Sequence, residues 1–308
     1  MSVCEIRRYR MAAEQNPAGP ATPPNQPEGN PLPGVKHIIA VSSGKGGVGK
    51  STVTVNLAVA LKQQGYAVGL MDADIYGPNI PMMIGVTKEP GKEGEKILPA
   101  EGQGVKVISM GFFVPEDTPV VWRGPMVHSA IQQFFRDVVW GELDYLLIDL
   151  PPGTGDVPLT LSQIVPLTGA ITVTTPQEVA LQDVRKGMTM FKKVNVPLLG
   201  VIENMSYFVC GHCHERTEIF STGGGERAAQ KFEIPFLGRI PIDPAIREGG
   251  DKGTPIVSND PSSPQAQAFL QIAKTLTGNI DNAEKGNGDA APSLSSLLKK
   301  ITDPLKKS

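Results

Sequence analysis

Through the middle of the chain, short apolar runs alternate with stretches whose apolar residues recur at helical spacing. His37 to Val41, Ala67 to Met71, Val105 to Met110, Tyr145 to Ile148, Ala170 to Thr174, Leu198 to Ile202 and Phe236 to Ile240 read as buried strands, since a half-wet strand would alternate. Between them Val53/Leu57/Ala60/Leu61, Val127/Ile131/Phe134/Phe135/Val138 and Leu181/Val184/Met188/Phe191 each fall on one helical face. Ser263 followed by Pro264 predicts a last helix, capped by the serine, that runs to about Thr277 and packs Phe269, Leu270 and Ala273. The alternation predicts an α/β fold with a single doubly wound, mostly parallel sheet over residues 35–277.

At both ends this pattern stops. Residues 12–34 hold seven of the 28 prolines and almost no apolar side chains, so 1–34 is expected to be a disordered leader, with Met11 an alternative start inside it. Residues 278–292 are polar and Gly/Asn-rich and are expected to be a flexible linker. Leu294, Leu297, Leu298, Ile301 and Leu305 then make an apolar stripe beside Lys299, Lys300, Lys306 and Lys307, an amphipathic basic tail over 293–308. Such a tail suits an anionic membrane, a partner or the chain's own domain, and Pro304 interrupts its last turn.

Charge and composition narrow the function. With 29 Lys+Arg against 31 Asp+Glu among 308 residues, the chain has no excess charge for coating nucleic acid, and no nucleic-acid partner is expected. It lacks both an apolar run of the ~18 residues that cross a bilayer and a signal-peptide core, which points to the cytoplasm. Three cysteines, Cys4, Cys210 and Cys213, are too few for a disulfide framework and suit metal or redox chemistry.

After the first predicted strand comes Gly44-Lys45-Gly46-Gly47-Val48-Gly49-Lys50-Ser51-Thr52, which fits G-x-x-x-x-G-K-[ST] between a strand and a helix. Its glycines let successive N–H groups curl around phosphate oxygens, Lys50 reaches the β/γ-phosphates and Ser51 ligates Mg²⁺. Gly44, Gly46 and Gly49 also spell G-x-G-x-x-G, with Asp72 where a ribose-binding acid would sit, but a dinucleotide site needs neither Lys50-Ser51 nor Asp74. The strand Leu146 to Ile148 ends in Asp149 and a Pro-Pro-Gly-Thr-Gly-Asp turn, which makes Asp149 the acid that holds Mg²⁺ through water. Asp72 and Asp74 close the second strand, and spacing does not say which of them orients the attacking water.

Cys210-Gly211-His212-Cys213-His214 supplies two thiolates, whereas a closed tetrahedral site or a cubane cluster needs four ligands. A two-fold axis doubles a surface motif, so one pair from each protomer would complete a four-thiolate site. Structural zinc, with the same thiolates or with His212 or His214, remains open, because thiolates suit both zinc and iron–sulfur. A dithiol redox motif, a haem attachment site and an inert buried pair fit the spacing less well, for want of the matching fold, an export signal or an apolar setting.

Taken together, Lys45 to Thr52, MDADIYGPNIPMM (71–83), WRGPM (122–126), IDLPPGTGD (148–156), TTPQEVAL (174–181), IENMSYFVCGHC (202–213) and STGGGE (221–226) resemble the Mrp/ApbC/Nbp iron–sulfur carrier ATPases. These have the deviant Walker A of the MinD, ParA and nitrogenase iron protein class of SIMIBI-type P-loop NTPases. The resemblance implies a homodimer in which Lys45 reaches the ATP of the opposite subunit, with Asp74 positioning the water and Asp72 and Asp149 near Mg²⁺. It also implies that Asn204, Pro241 and Asp243 lie beside the adenine. A [4Fe–4S] cluster held by Cys210 and Cys213 of both subunits would pass to recipient apoproteins, with slow ATP hydrolysis as the switch. A leader with one cysteine argues against a further N-terminal cluster. A spatial-positioning ATPase of the MinD/ParA kind, in which the tail matters and the cysteines do not, is the alternative, and an ATP-gated reductase is a third.

Overall fold

The computed structural model describes residues 31–75, 77–113, 124–153 and 157–286. The leader up to residue 30, Trp122 and Arg123, Thr154 to Asp156, residues 287–292 of the expected linker and the amphipathic tail lie outside the described residues. In chain order the strands are β1 (Val35–Ser43), β2 (Val68–Asp72), β3 (Gly91–Glu93), β4 (Lys96–Leu98), β5 (Ala100–Gly102), β6 (Val105–Ser109), β7 (Leu143–Asp149), β8 (Gly169–Thr174), β9 (Leu198–Glu203), β10 (Phe208–Val209), β11 (Arg216–Thr217) and β12 (Phe236–Arg239). The helices are α1 (Lys50–Gln63), α2 (Ile80–Met83), α3 (Gly124–Asp137), α4 (Val157–Ile164), α5 (Glu178–Lys193), α6 (Gly224–Phe232), α7 (Pro244–Asp251), α8 (Ile256–Asn259) and α9 (Pro264–Gly286).

The main sheet runs β12-β9-β8-β1-β7-β2-β6-β5 and is parallel except for the β5/β6 pair. All seven strands expected from the apolar runs are in it. Each face of the sheet has its own core. Ile39 and Val41 pack with Leu57 and Leu61 of α1 and Phe269 and Ala273 of α9, whereas Ile38 and Ala40 face Phe134 and Phe135 of α3, Leu161 of α4 and Phe191 of α5. Burial on both faces is why β1 reads as an apolar run, and each of its valine and isoleucine side chains contributes about 1.5–3 kcal/mol by leaving water. The three helical stripes are buried wherever their side chains are described.

The structure departs from expectation in three places. Helix α9 continues beyond Thr277 through Gly286, across the first part of the expected linker. Leu276 and Ile280, four residues apart, are buried against the α1 face, and the polar residues that suggested a linker form the outer side of the same helix. Strands β3 to β5 were not expected, because three-residue strands with exposed positions carry too little periodicity to register. The cysteine motif lies in a separate antiparallel hairpin, β10/β11, in which Phe208 pairs with Thr217 and Val209 with Arg216.

The chain first builds the wing beyond β7 and then the wing beyond β8, with β1 between the two. The loops that leave the carboxyl ends of β1, β2 and β7 therefore open at the place where the winding reverses, the usual position for a ligand in an open α/β sheet.

Candidate functional site

Between Ser43 of β1 and Lys50 of α1, the glycine-rich loop takes the backbone shape that glycine permits. Gly47 and Gly49 have φ of 79° and 77°, and Gly49 is the residue just ahead of α1. A Cβ on Gly49 would press on the Asn204 side-chain nitrogen, which is held by its bond to the Val48 carbonyl, so the position favours glycine for space as well as conformation. The loop borders a pocket of about 410 Å³ that is also lined by Asp74, Gly77, Asn79, Met83 and Pro152. That volume is in the range of small-molecule sites.

Asp149 is the hub of the pocket floor. It is fully buried at the end of β7, in register with Val41 of β1 and Asp72 of β2. Lys50 Nζ and Ser51 Oγ each donate to its Oδ2 at 2.6 Å, and Thr54 Oγ1 donates to its Oδ1 at 2.7 Å. An ammonium and a carboxylate buried together in this way are favourable only with full hydrogen bonding, which the two hydroxyls supply. The adjacent oxygens of Ser51 and Asp149 are the hard donors that Mg²⁺ prefers, so this corner fits that ion.

The neighbouring acids differ in their surroundings. Asp74 is buried at the pocket wall with its Oδ2 3.8 Å from Lys50 Nζ. Asp72 is fully buried and accepts from Ser109 Oγ at 2.8 Å and from the backbone N–H groups of Asp74 and Ile80 at 3.1 and 3.3 Å. Burial, and next the charge of Asp149, push its pKa up to about 7.

The remaining predicted residues are placed as follows. Lys45 Nζ donates to Gln177 Oε1 of its own chain at 3.4 Å. Asn204, buried at the end of β9, donates from its side-chain nitrogen to the Val48 carbonyl at 2.8 Å. Asp243 caps α7 by accepting from the Ala245 N–H at 2.8 Å, in the turn that follows Pro241. Thr54 and Gln177 were not singled out beforehand. Thr54 follows Lys50 by one helical turn, a spacing that could have suggested a second hydroxyl beside Asp149.

Cys210 and Cys213 occupy the turn of the β10/β11 hairpin. The Cys210 N–H donates to the Glu215 carbonyl at 3.0 Å and the His214 N–H to the Cys210 carbonyl at 2.9 Å, with His214 at φ 59°. Both thiols are free, Cys210 half-buried and Cys213 exposed. The Cys210 thiol is held below the usual thiol range by hydrogen bonds from the backbone N–H groups of Cys213 and His212 and from the Cys213 thiol. Among the described residues, no group of three or more His, Cys, Asp or Glu side chains is placed to hold a metal ion. Neither His212 nor His214 therefore closes a site with the two thiols within the described part of one chain. Among the described helices, none is long and apolar enough to cross a membrane.

Comparison with known proteins places this geometry in context. A family model described as ParA: NUBPL iron-transfer P-loop NTPase matches residues 34–277. An iron–sulfur cluster carrier protein of Aquifex aeolicus is 54% identical over 254 residues, 82% of this chain and 70% of its own length. The iron–sulfur cluster transfer protein NUBPL of Dictyostelium discoideum is 49% identical over 268 residues, 85% of this chain and 83% of its own. Among solved structures, a nucleotide-binding protein from Archaeoglobus fulgidus in complex with ADP superposes with a TM-score of 0.67 at 42% identity, over 78% of this chain and 93% of that one. The septum site-determining protein MinD of Pyrococcus horikoshii, complexed with Mg-ADP, superposes at 0.56 with 28% identity, over 78% and 95%.

Proposed function

The chain belongs to the ParA/NUBPL family of iron-transfer P-loop NTPases, and from that premise we propose that it is an ATP-hydrolysing carrier of iron–sulfur clusters that works as a homodimer. The observation that carries this reading is the exposed hairpin with two thiols and no third ligand among the described residues. Two thiolates leave a [4Fe–4S] cargo half-coordinated, and a second copy of the hairpin across a two-fold axis supplies the rest. The relatives' names favour cargo transfer over spatial positioning, although the MinD fold is shared.

In the proposed cycle, the backbone N–H groups of Gly44 to Thr52 take the phosphates of ATP and Lys50 balances the β/γ charge. Mg²⁺, when held by Ser51 and Asp149, neutralises phosphate charge. Asp74 orients the attacking water from the pocket wall, and buried Asp72 fixes the turn that carries Asp74 by accepting its N–H. Asn204, Pro241 and Asp243 border the base. Lys45 leaves Gln177 and reaches the nucleotide of the opposite protomer, so that ATP draws the two chains together. Closure of the pair changes how the four cysteines hold the cargo, and slow hydrolysis resets the dimer before delivery to an apoprotein.

Anaerobic reconstitution, followed by iron, sulfide and zinc analysis of the wild type and Cys210→Ser, tests this reading. The expected result is about four iron and four sulfide per pair of chains in the wild type, and neither in the variant. Stoichiometric zinc without sulfide, or cluster retained by Cys210→Ser, would overturn it.

A further inference from the structure

Residues 204–209 join the phosphate loop to the cysteine hairpin, and the segment is tied down along its length. At its start, the Asn204 backbone N–H donates to the Thr174 carbonyl at 2.8 Å, and its side chain donates to the Val48 carbonyl at the same distance. Met205 turns the chain with φ 53°, its side chain lying beside Gly49. Ser206 donates from its N–H to the Ile240 carbonyl at 2.9 Å and from its Oγ to Glu203 Oε1 at 2.6 Å. Glu203 is fully buried, and its other oxygen accepts the Gly225 N–H at 2.6 Å. The Tyr207 carbonyl accepts from the Ile242 N–H at 2.7 Å, which fixes the segment to the chain beyond β12. From the far strand of the hairpin, the Arg216 guanidinium lies 3.9 Å from the centre of the Tyr207 ring.

From this arrangement we infer that Asn204 reads the occupancy of the phosphate loop, that residues 204–209 carry the change to the cysteine hairpin, and that the stacking of Arg216 on Tyr207 clamps the hairpin to this strut. The Val48 carbonyl and the Gly49 N–H belong to one peptide unit. A phosphate oxygen that accepts from this N–H polarises and orients the whole plane, which strengthens the carbonyl's bond from Asn204. Gly49 has no side chain to cushion the contact, so a shift of the loop acts on Asn204 and Met205 directly. Because Ser206 and Tyr207 are held to the stretch beyond β12, the displacement is directed along the chain toward Cys210. Asn204, Tyr207 and Arg216 are thus positioning residues for the thiols. The inference rests on the proposed function in taking the loop as a nucleotide site and the hairpin as the cargo site.

Hydrogen exchange read by mass spectrometry tests it on the full-length, reduced, cargo-free protein with and without saturating MgADP. In the wild type, nucleotide is expected to slow exchange at the loop and also at the Cys210 and His214 amides of the hairpin, the latter by about fivefold, the low end of coupling between sites. Arg216→Ala is expected to keep its affinity for a fluorescent ADP analogue and its loop protection, while the hairpin response falls close to onefold. Arg216→Lys, which keeps a cation over the ring, restores most of it. A full hairpin response in Arg216→Ala, or a wild-type hairpin that ignores nucleotide while the loop is protected, overturns the inference and leaves the nucleotide site standing. No protection at the loop itself would overturn the nucleotide reading together with the inference built on it.

Discussion

At the phosphate loop, a fully buried carboxylate accepts from Lys50, Ser51 and Thr54, and a side chain on Gly49 would crowd the Asn204 amide. At the cysteine hairpin, two free thiols stand in a turn with one of them exposed, and no third ligand side chain joins them among the described residues. The buried carboxylate of the first region finds all its partners within one chain and is preorganised for charge, so its substitutions should be felt in stability as well as in function. The second is held by backbone hydrogen bonds and by Arg216 stacked on Tyr207, and neither of its thiols is part of the buried core. Folding and function are separable there, and on the proposed reading a second chain provides the missing ligands.

The largest effect should follow from removing the hub. Asp149→Ala removes the partner at 2.6 Å and leaves the buried Lys50 ammonium with only Asp74, 3.8 Å away, which costs roughly 3–5 kcal/mol. Denaturant unfolding should show that loss together with undetectable ATP hydrolysis, and a variant as stable as the wild type would mean that the buried pair is not structural. Gly49→Ala comes next: strain at φ 77° and the clash with Asn204 together cost about 3 kcal/mol, and nucleotide affinity should fall with stability.

Asp72 sharpens the comparison through pH. Its folded pKa of about 7 lies above the unfolded value of 3.8, so the folded state binds the proton more tightly. The sign is therefore that stability is fully present below pH 4 as far as this group is concerned, and is lost as pH rises through 7. Between pH 5 and 7 the loss is about 2 kcal/mol, and Asp72→Asn should abolish that slope in unfolding measured across the range. At the other extreme, Cys210→Ser and Cys213→Ser should shift unfolding by less than about 0.5 kcal/mol, since neither thiol is buried. A large destabilisation by either would erase the contrast between the two regions.

What the sequence discloses follows the same division. Strands of the main sheet are rich in buried apolar side chains, so all seven expected strands are present, and the loop is legible because Gly44 to Ser51 stand between a strand and a helix. Thr54 is marked in the sequence only by its spacing of one helical turn from Lys50, and the Gln177 amide ahead of α5 has no signature of its own. Strands β3 to β5 and the β10/β11 hairpin are too short for periodicity to show. The end of α9 was misplaced because Gly278, Asn279 and Asn282 dominate its composition while one buried residue in four, Ile280 after Leu276, holds it to the core. The contact between Asn204 and the phosphate loop joins residues 156 apart in sequence, and only the fold brings them together.

In the proposed carrier, one chain contributes half of the cargo site. Native mass spectrometry of the protein reconstituted without oxygen tests it most directly. Cluster is expected on paired chains alone, and a chelator is expected to strip the metal and return single chains. A single chain that carries a full complement of iron and sulfide would contradict it.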